Sequence, residues 1–232
     1  MKKTFAGLFL LSLGLLSCTP TIIPDTSLRF VNSVNDSGGL KVFLKGEREN
    51  VGSLLAYKQA LPSLNSYKIL KEGTLTYSLC PDNSQDCPIA VKDKTVALVG
   101  LEKKSIYLVG TASPNDDVGT DARPLEVVVV KDEAATPITG KAMIRILHTA
   151  NLPSAKTVGV HITAPDAPLL VLPSNLNYKA NTDYVALDAG NWRIRGTVAA
   201  NTVMDSATLA LEANKTYTAI LVNDAVVLLT DK

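Results

Sequence analysis

Two histidines, one tryptophan, three cysteines and a short acidic cluster hold most of the reactive or ligand-binding chemistry in this chain. His148 is the natural candidate for a general base, because imidazole titrates near neutral pH. No serine in a nucleophile-elbow sequence accompanies it, and no HExxH, zinc spacing or Gly-rich phosphate loop occurs. His148 and His161 both fall in alternating apolar runs, which predicts strands, with one imidazole facing in and the other out. No catalytic residue and no cofactor is assigned, and a non-enzyme is expected.

The best metal candidate is Asn115-Asp116-Asp117-Val118-Gly119-Thr120-Asp121. Its carboxylates, Asp116, Asp117 and Asp121, could wrap a hard cation such as calcium around the glycine. The EF-hand order and the closing glutamate are missing, and a solvated loop tip accounts for the cluster equally well. Asp82 and Asp86 are weaker candidates. A third chemistry sits in Trp192-Arg193-Ile194-Arg195. On a strand, Trp192 and Ile194 share one face, and Arg193 and Arg195 share the other. Alternation alone puts the first pair in a core and the second in solvent. The rival reading makes Trp192 a platform for a sugar ring, flanked by Arg193 and Arg195 as ligand-binding residues.

Cys80 and Cys87 flank a polar loop, Pro-Asp-Asn-Ser-Gln-Asp. In an exported chain this spacing reads as a disulfide closing a hairpin tip. So short a loop gives roughly 2–3 kcal/mol at most. A metal site on these cysteines would need further ligands, and both histidines are distant in sequence.

The elements that must position these residues are short strands. Leu28–Asn32, Leu40–Leu44, Ser66–Leu70, Thr74–Leu79, Thr95–Val99, Ile106–Val109 and Leu125–Val130 are β-branched or aromatic runs bounded by turn residues. No long stretch keeps a 3.6-residue apolar period, so an all-β sandwich or barrel is expected. The series then repeats. Ile144-Arg145-Ile146-Leu147-His148 echoes Leu28-Arg29-Phe30-Val31-Asn32, and Val158–Ile162 echoes the strand at Leu40. Tyr184 precedes Gly190 as Tyr67 precedes Gly73, and Leu211-Glu212 precedes Tyr217 as Leu101-Glu102 precedes Tyr107. The run at Ala225 mirrors the run at Leu125. A fixed order of landmarks with small insertions is the mark of a duplicated domain. The expected organisation is a first domain over 28–133, a linker over 134–141 and a second domain over 142–232. The recurring tyrosines suggest packing or strand-end hydrogen bonds.

The amino-terminal stretch has a different character. Lys2 and Lys3 precede an apolar run from Phe5 to Leu16, too short to span a bilayer comfortably. Leu15-Leu16-Ser17-Cys18 resembles the lipobox of bacterial lipoproteins. That resemblance implies a signal peptide over 1–17, acylation at Cys18 and a lipidated tether over 18–27. It also explains why Cys18 has no partner cysteine. Loss of Lys2 and Lys3 turns a formal charge of +1 into −1, so no bulk field favours nucleic acid. Thr19 after the cysteine implies the outer membrane in a two-membrane cell. In a one-membrane cell it implies the outer face of the plasma membrane.

The ordered landmarks as a whole resemble domain of unknown function 4397. The match runs from Arg29-Phe30-Val31-Asn32 through Tyr67, Gly73, Leu101-Glu102 and Tyr107 to Leu125. It resumes at Arg145–Ala150, Tyr184, Gly190 and Leu211–Thr218. The family implies tandem immunoglobulin-like β-sandwich domains in cell-envelope proteins, and no established activity. The expectation is a lipid-anchored, non-catalytic envelope protein with a structural or protein-interaction role. Its partners would be the membrane, reached through Cys18, and other envelope proteins. The alternative is a carbohydrate or cell-wall binding module, and a hydrolytic enzyme ranks third.

Overall fold

The computed structural model describes residues 24–45, 54–81, 91–112, 123–132, 137–152, 157–164, 170–198 and 201–231. The proposed anchor Cys18, the acidic cluster Asp116, Asp117 and Asp121, and Cys87 with loop residues 82–86 lie outside the described residues. Among the described residues no helix is long and apolar enough to cross a membrane.

The fold is all-β. The first half runs β1 (Asp25–Asn32), β2 (Gly39–Leu44), β3 (Leu55–Ala56), β4 (Ala60–Leu61), β5 (Lys68–Lys71), β6 (Gly73–Pro81), β7 (Lys94–Leu98), β8 (Lys103–Val109) and β9 (Glu126–Lys131). The second half runs β10 (Lys141–His148), β11 (Thr157–Thr163), β12 (Leu170–Asn177), β13 (Val185–Asp188), β14 (Gly190–Val198), β15 (Asn201–Asp205), β16 (Leu209–Leu211), β17 (Thr216–Val222) and β18 (Ala225–Thr230).

These strands form four sheets. The first half contributes β3-β2-β6-β7 and β4-β1-β8-β9, and the second contributes β12-β11-β14-β15 and β13-β10-β17-β18. The same strand order therefore recurs in the two halves. In each, the opening strand pairs in parallel with the penultimate one, β1 with β8 and β10 with β17.

The core lies in three layers. Leu28, Phe30, Val42, Tyr77, Leu79 and Ile106 fill the space between the first two sheets. Ile144, Ile146, Val160, Ile194, Ala219 and Leu221 fill the corresponding space in the second half. A third cluster draws on both halves and includes Val31, Tyr107, Val109, Val130, Leu147, Ile220 and Leu229. The two inner sheets thus pack against each other, and their central strands are covered on both faces. That is why β17, Thr-Tyr-Thr-Ala-Ile-Leu-Val, is buried at every position. Successive side chains of β1 divide the work: Leu28 and Phe30 point into the first core, while Arg29 and Val31 point at the other half.

Two sequence expectations are adjusted by register. β1 begins at Asp25, inside the stretch read as tether, because residues 25–28 pair with β5. Arg29 lies opposite Ser105, and Arg145 opposite Thr218. Leu101 therefore corresponds to Asn214, and Tyr107 corresponds to Ile220. The Leu-Glu-Tyr resemblance was three residues out of structural register, so Tyr107 faces the other half while Tyr217 packs in the second core.

Candidate functional site

The sequence-predicted residues do not converge on one site. His148 ends β10 and is wholly buried. Its ring meets the edge of Tyr178 at 5.9 Å, and neither ring nitrogen has a hydrogen-bond partner among the described residues. Burial, helped by the positive charge of Arg123, pulls its pKa down to about 4. A neutral imidazole sealed from solvent is poorly placed to move protons for a substrate. His161 is half-buried on β11, and its Nε2 lies 3.1 Å from Thr197 Oγ1.

Trp192 is half-buried on β14 and packs against the second core. Its indole N–H donates to the carbonyl of Asp188 at 2.9 Å. Arg193 and Arg195 share one acceptor: Asp205 Oδ2 takes Arg193 Nη2 at 2.6 Å and Arg195 Nε at 3.1 Å. Trp192 and Ile194 face inward and the arginines outward, as strand alternation requires. Cys80 is buried in β6.

The densest polar chemistry lies where the two inner sheets meet, and sequence reasoning missed it. Arg29 is wholly buried. Its Nη2 donates to Asp231 Oδ1 at 2.7 Å, its Nε to Ser105 Oγ at 3.0 Å, and its Nη1 to the carbonyls of Leu64 and Thr230. The second half repeats the arrangement. Arg145 Nη2 donates to Asp132, its Nε to Thr218 Oγ1 at 2.8 Å, and its Nη1 to the carbonyl of Lys131 at 2.7 Å. Each arginine thus reaches an aspartate just past the last strand of the opposite half. Tyr67 donates to Asp132 at 3.0 Å, and Tyr184 donates to Asp231 at 3.1 Å. The guanidinium of Arg29 sits 4.4 Å above the Tyr67 ring, and that of Arg145 sits 5.0 Å above Tyr184. Burial and the nearby Asp231 carboxylate push the Asp132 pKa up, while Arg29, Arg145 and Ser105 pull it back. The signal in the sequence was the repeated arginine in two otherwise apolar strands. An arginine flanked by core residues on a strand covered on both faces requires a buried anion.

A second matched pair closes the far end of this interface. Tyr57 and Lys58 both contact Asp224, at 2.6 and 2.8 Å. Their counterparts are Tyr178 and Lys179, and Lys179 pairs with Glu126. Lys58 and Lys179 share a left-handed backbone, with φ of 64° and 68°. Beside the second pair, Arg123, Pro124 and Glu126 of the first half and Asn177, Tyr178 and Lys179 of the second line an open cleft of about 600 Å³. The Arg123 guanidinium covers the Tyr178 ring at 4.0 Å.

Residues 26–161 of the chain match a family described as a domain of unknown function (DUF4397). The chain belongs to the DUF4397 family. No curated protein matches this DUF4397 chain. Among solved structures it is similar to the Bacillus anthracis TIE protein, 14% identical over 87% of this chain and 34% of that one, with a TM-score of 0.24. A leucine-rich repeat protein from Bacteroides thetaiotaomicron is 14% identical over 86% and 26%, with a TM-score of 0.22. A candidate cell adhesion protein from Bacteroides ovatus is 9% identical over 88% and 95%, with a TM-score of 0.23. The DUF4397 chain spans about a third and a quarter of the length of the first two.

Proposed function

We propose that this DUF4397 protein is a lipid-anchored, non-catalytic component of the bacterial cell envelope that works as a rigid interaction module of two β-sandwich domains. The observation that supports the non-catalytic part is the use made of its buried polar groups. Arg29, Arg145, Asp132 and Asp231 satisfy one another across the two halves, so these four buried charges are spent on holding the body together. The anchor rests on Leu15-Leu16-Ser17-Cys18. The location that follows is the outer membrane of a two-membrane cell, or the outer face of a single membrane. A disulfide between Cys80 and Cys87 belongs to the same exported setting. Envelope proteins are the expected partners. The carbohydrate reading would need an open Trp192 face, and this indole packs on the core with its N–H engaged.

The anchor is tested by growing cells with an alkyne fatty acid and fractionating them. The wild-type chain should carry label and pellet with membranes, and Cys18→Ser should lose the label and leave the pellet. An unlabelled wild-type chain would remove the lipoprotein reading. Sedimentation with purified cell-wall sacculi tests the carbohydrate reading. Wild-type binding that a folded Trp192→Ala variant loses would reverse the preference stated here.

A further inference from the structure

The two halves run in the same direction, so one end of the body gathers the starts of both. Lys103, which opens β8, donates from Nζ to the carbonyl of Asp231, whose own N–H bonds Thr216, the first residue of β17. The chain emerges at this end too, since Pro24 precedes β1 and its carbonyl accepts from Glu72 N–H. The four most exposed large apolar side chains of the described body lie here as well: Leu101 at 85%, Ile69 at 60%, Ile138 at 54% and Val99 at 52%.

Leu101 is the telling residue. It occupies the third position of a tight turn closed by Glu102 N–H to the Val99 carbonyl, with φ at 67°. That position favours glycine or asparagine, and a leucine there is both strained and open to water. The second half supplies an internal control. Its matching turn, closed by Lys215 N–H to the Glu212 carbonyl, carries Asn214 at φ 62°. Both residues make the same backbone bond, Leu101 to Asp25 and Asn214 to Lys141. Asn214 also accepts from Gly140 N–H through its side chain, whereas Leu101 projects outward. The fold therefore does not need leucine at this turn.

We propose that the turn of residues 99–102, with Ile69 and Ile138, is a membrane-contacting tip that beds its apolar side chains into the phospholipid surface beside the anchor. This rests on the lipid-anchored reading above. Five residues lie between Cys18 and Pro24, and the six residue steps from one to the other span roughly 20 Å at most when fully extended. An acylated Cys18 therefore holds this end of the body within that distance of the bilayer. On so short a leash contact is intramolecular, and a few side chains too weak to bind membranes alone become effective.

The test uses the mature lipidated chain reconstituted in phosphatidylcholine–phosphatidylglycerol vesicles. An environment-sensitive fluorophore is placed on Leu101→Cys or, at the opposite end of β1, on Asn35→Cys. Vesicles carrying nitroxide-labelled lipids should quench the Leu101 probe several-fold more than the Asn35 probe. Equal quenching in a chain that floats with the vesicles would overturn the tip and leave the anchor standing. A chain that does not float would overturn the anchor, and the tip with it. Ile138→Cys repeats the measurement if the Leu101 variant does not fold, and is read in the same way.

Discussion

Replacing Asp231 with alanine removes one carboxylate that four side chains from both halves address. Arg29 Nη2 lies 2.7 Å away, Thr218 Oγ1 2.6 Å, Tyr184 OH 3.1 Å and Tyr67 OH 3.3 Å. Arg29 would remain charged and wholly buried, with two carbonyls, Ser105 and an Asp132 oxygen at 3.6 Å as its remaining partners. Breaking a buried pair in this way costs about 3–5 kcal/mol. An exposed pair such as Lys71–Asp25 is worth less than about 1 kcal/mol. Urea unfolding should be followed both by Trp192 fluorescence, which reports the second half, and by far-ultraviolet circular dichroism, which reports the whole. Wild type should unfold with the two signals superimposed. Asp231→Ala should shift both midpoints down and separate them, because the interface no longer ties the halves into one transition. The paired variant Arg29→Met/Asp231→Leu should recover most of the loss, since it removes the orphaned charge together with its partner. A loss under about 1 kcal/mol in Asp231→Ala, or a paired variant costing the sum of its parts, would refute the reasoning.

Three further outcomes follow from the same structure. His148 titrates at about 4 when folded and near 6.5 when unfolded, so the unfolded chain binds the extra proton between those values. Its contribution is fully present above pH 6.5 and is lost as pH falls toward 4. The gap corresponds to roughly 3 kcal/mol, and His148→Phe should flatten that slope in unfolding measurements across this range; an unchanged slope would assign it elsewhere. Gly110 has φ of 100°, and a Cβ there would lie 2.2 Å from the Pro124 carbonyl oxygen, so Gly110→Ala should cost about 2 kcal/mol or more in thermal unfolding. Asp205→Ala frees Arg193 and Arg195, whose side chains are about one-third exposed, and should cost less than about 1 kcal/mol; a loss above about 2 kcal/mol would show that this pair of arginines is structural.

Strand positions and the order of the repeat were legible because alternation and turn residues act locally. The runs at Thr74, Thr95 and Leu125 became β6, β7 and β9, and the Arg29–Arg145 correspondence holds in register. The tyrosine recurrence was half legible. Tyr67 and Tyr184 meet the buried aspartates, whereas Tyr107 and Tyr217 face different layers. The interface itself was not legible. Asp132 and Asp231 each follow a strand, where an aspartate ordinarily caps a turn in solvent. Only the packing of the inner sheets brings them to the opposite arginine. Leu101 is legible in the sequence as a repeat landmark but not as an exposed side chain: a leucine beside a strand reads as core until the backbone shows it at the tip of a left-handed turn.

The exchange of arginine and aspartate between the halves also fixes an order of events during synthesis. Arg29 and Asp231 are 202 residues apart in the chain. At typical elongation rates of about 5–20 residues per second, the ribosome adds Asp231 roughly 10–40 s after Arg29. Throughout that interval the first half has a guanidinium on a face that is covered in the finished fold, with only its own Asp132 at 3.6 Å in place of the closer Asp231 at 2.7 Å. The early product is therefore held short of its final state until the last strand has been made. A ribosome stalled anywhere in the second half would leave a partly packed chain with a charged, apolar-rimmed surface, the kind of species that chaperones and proteases recognise.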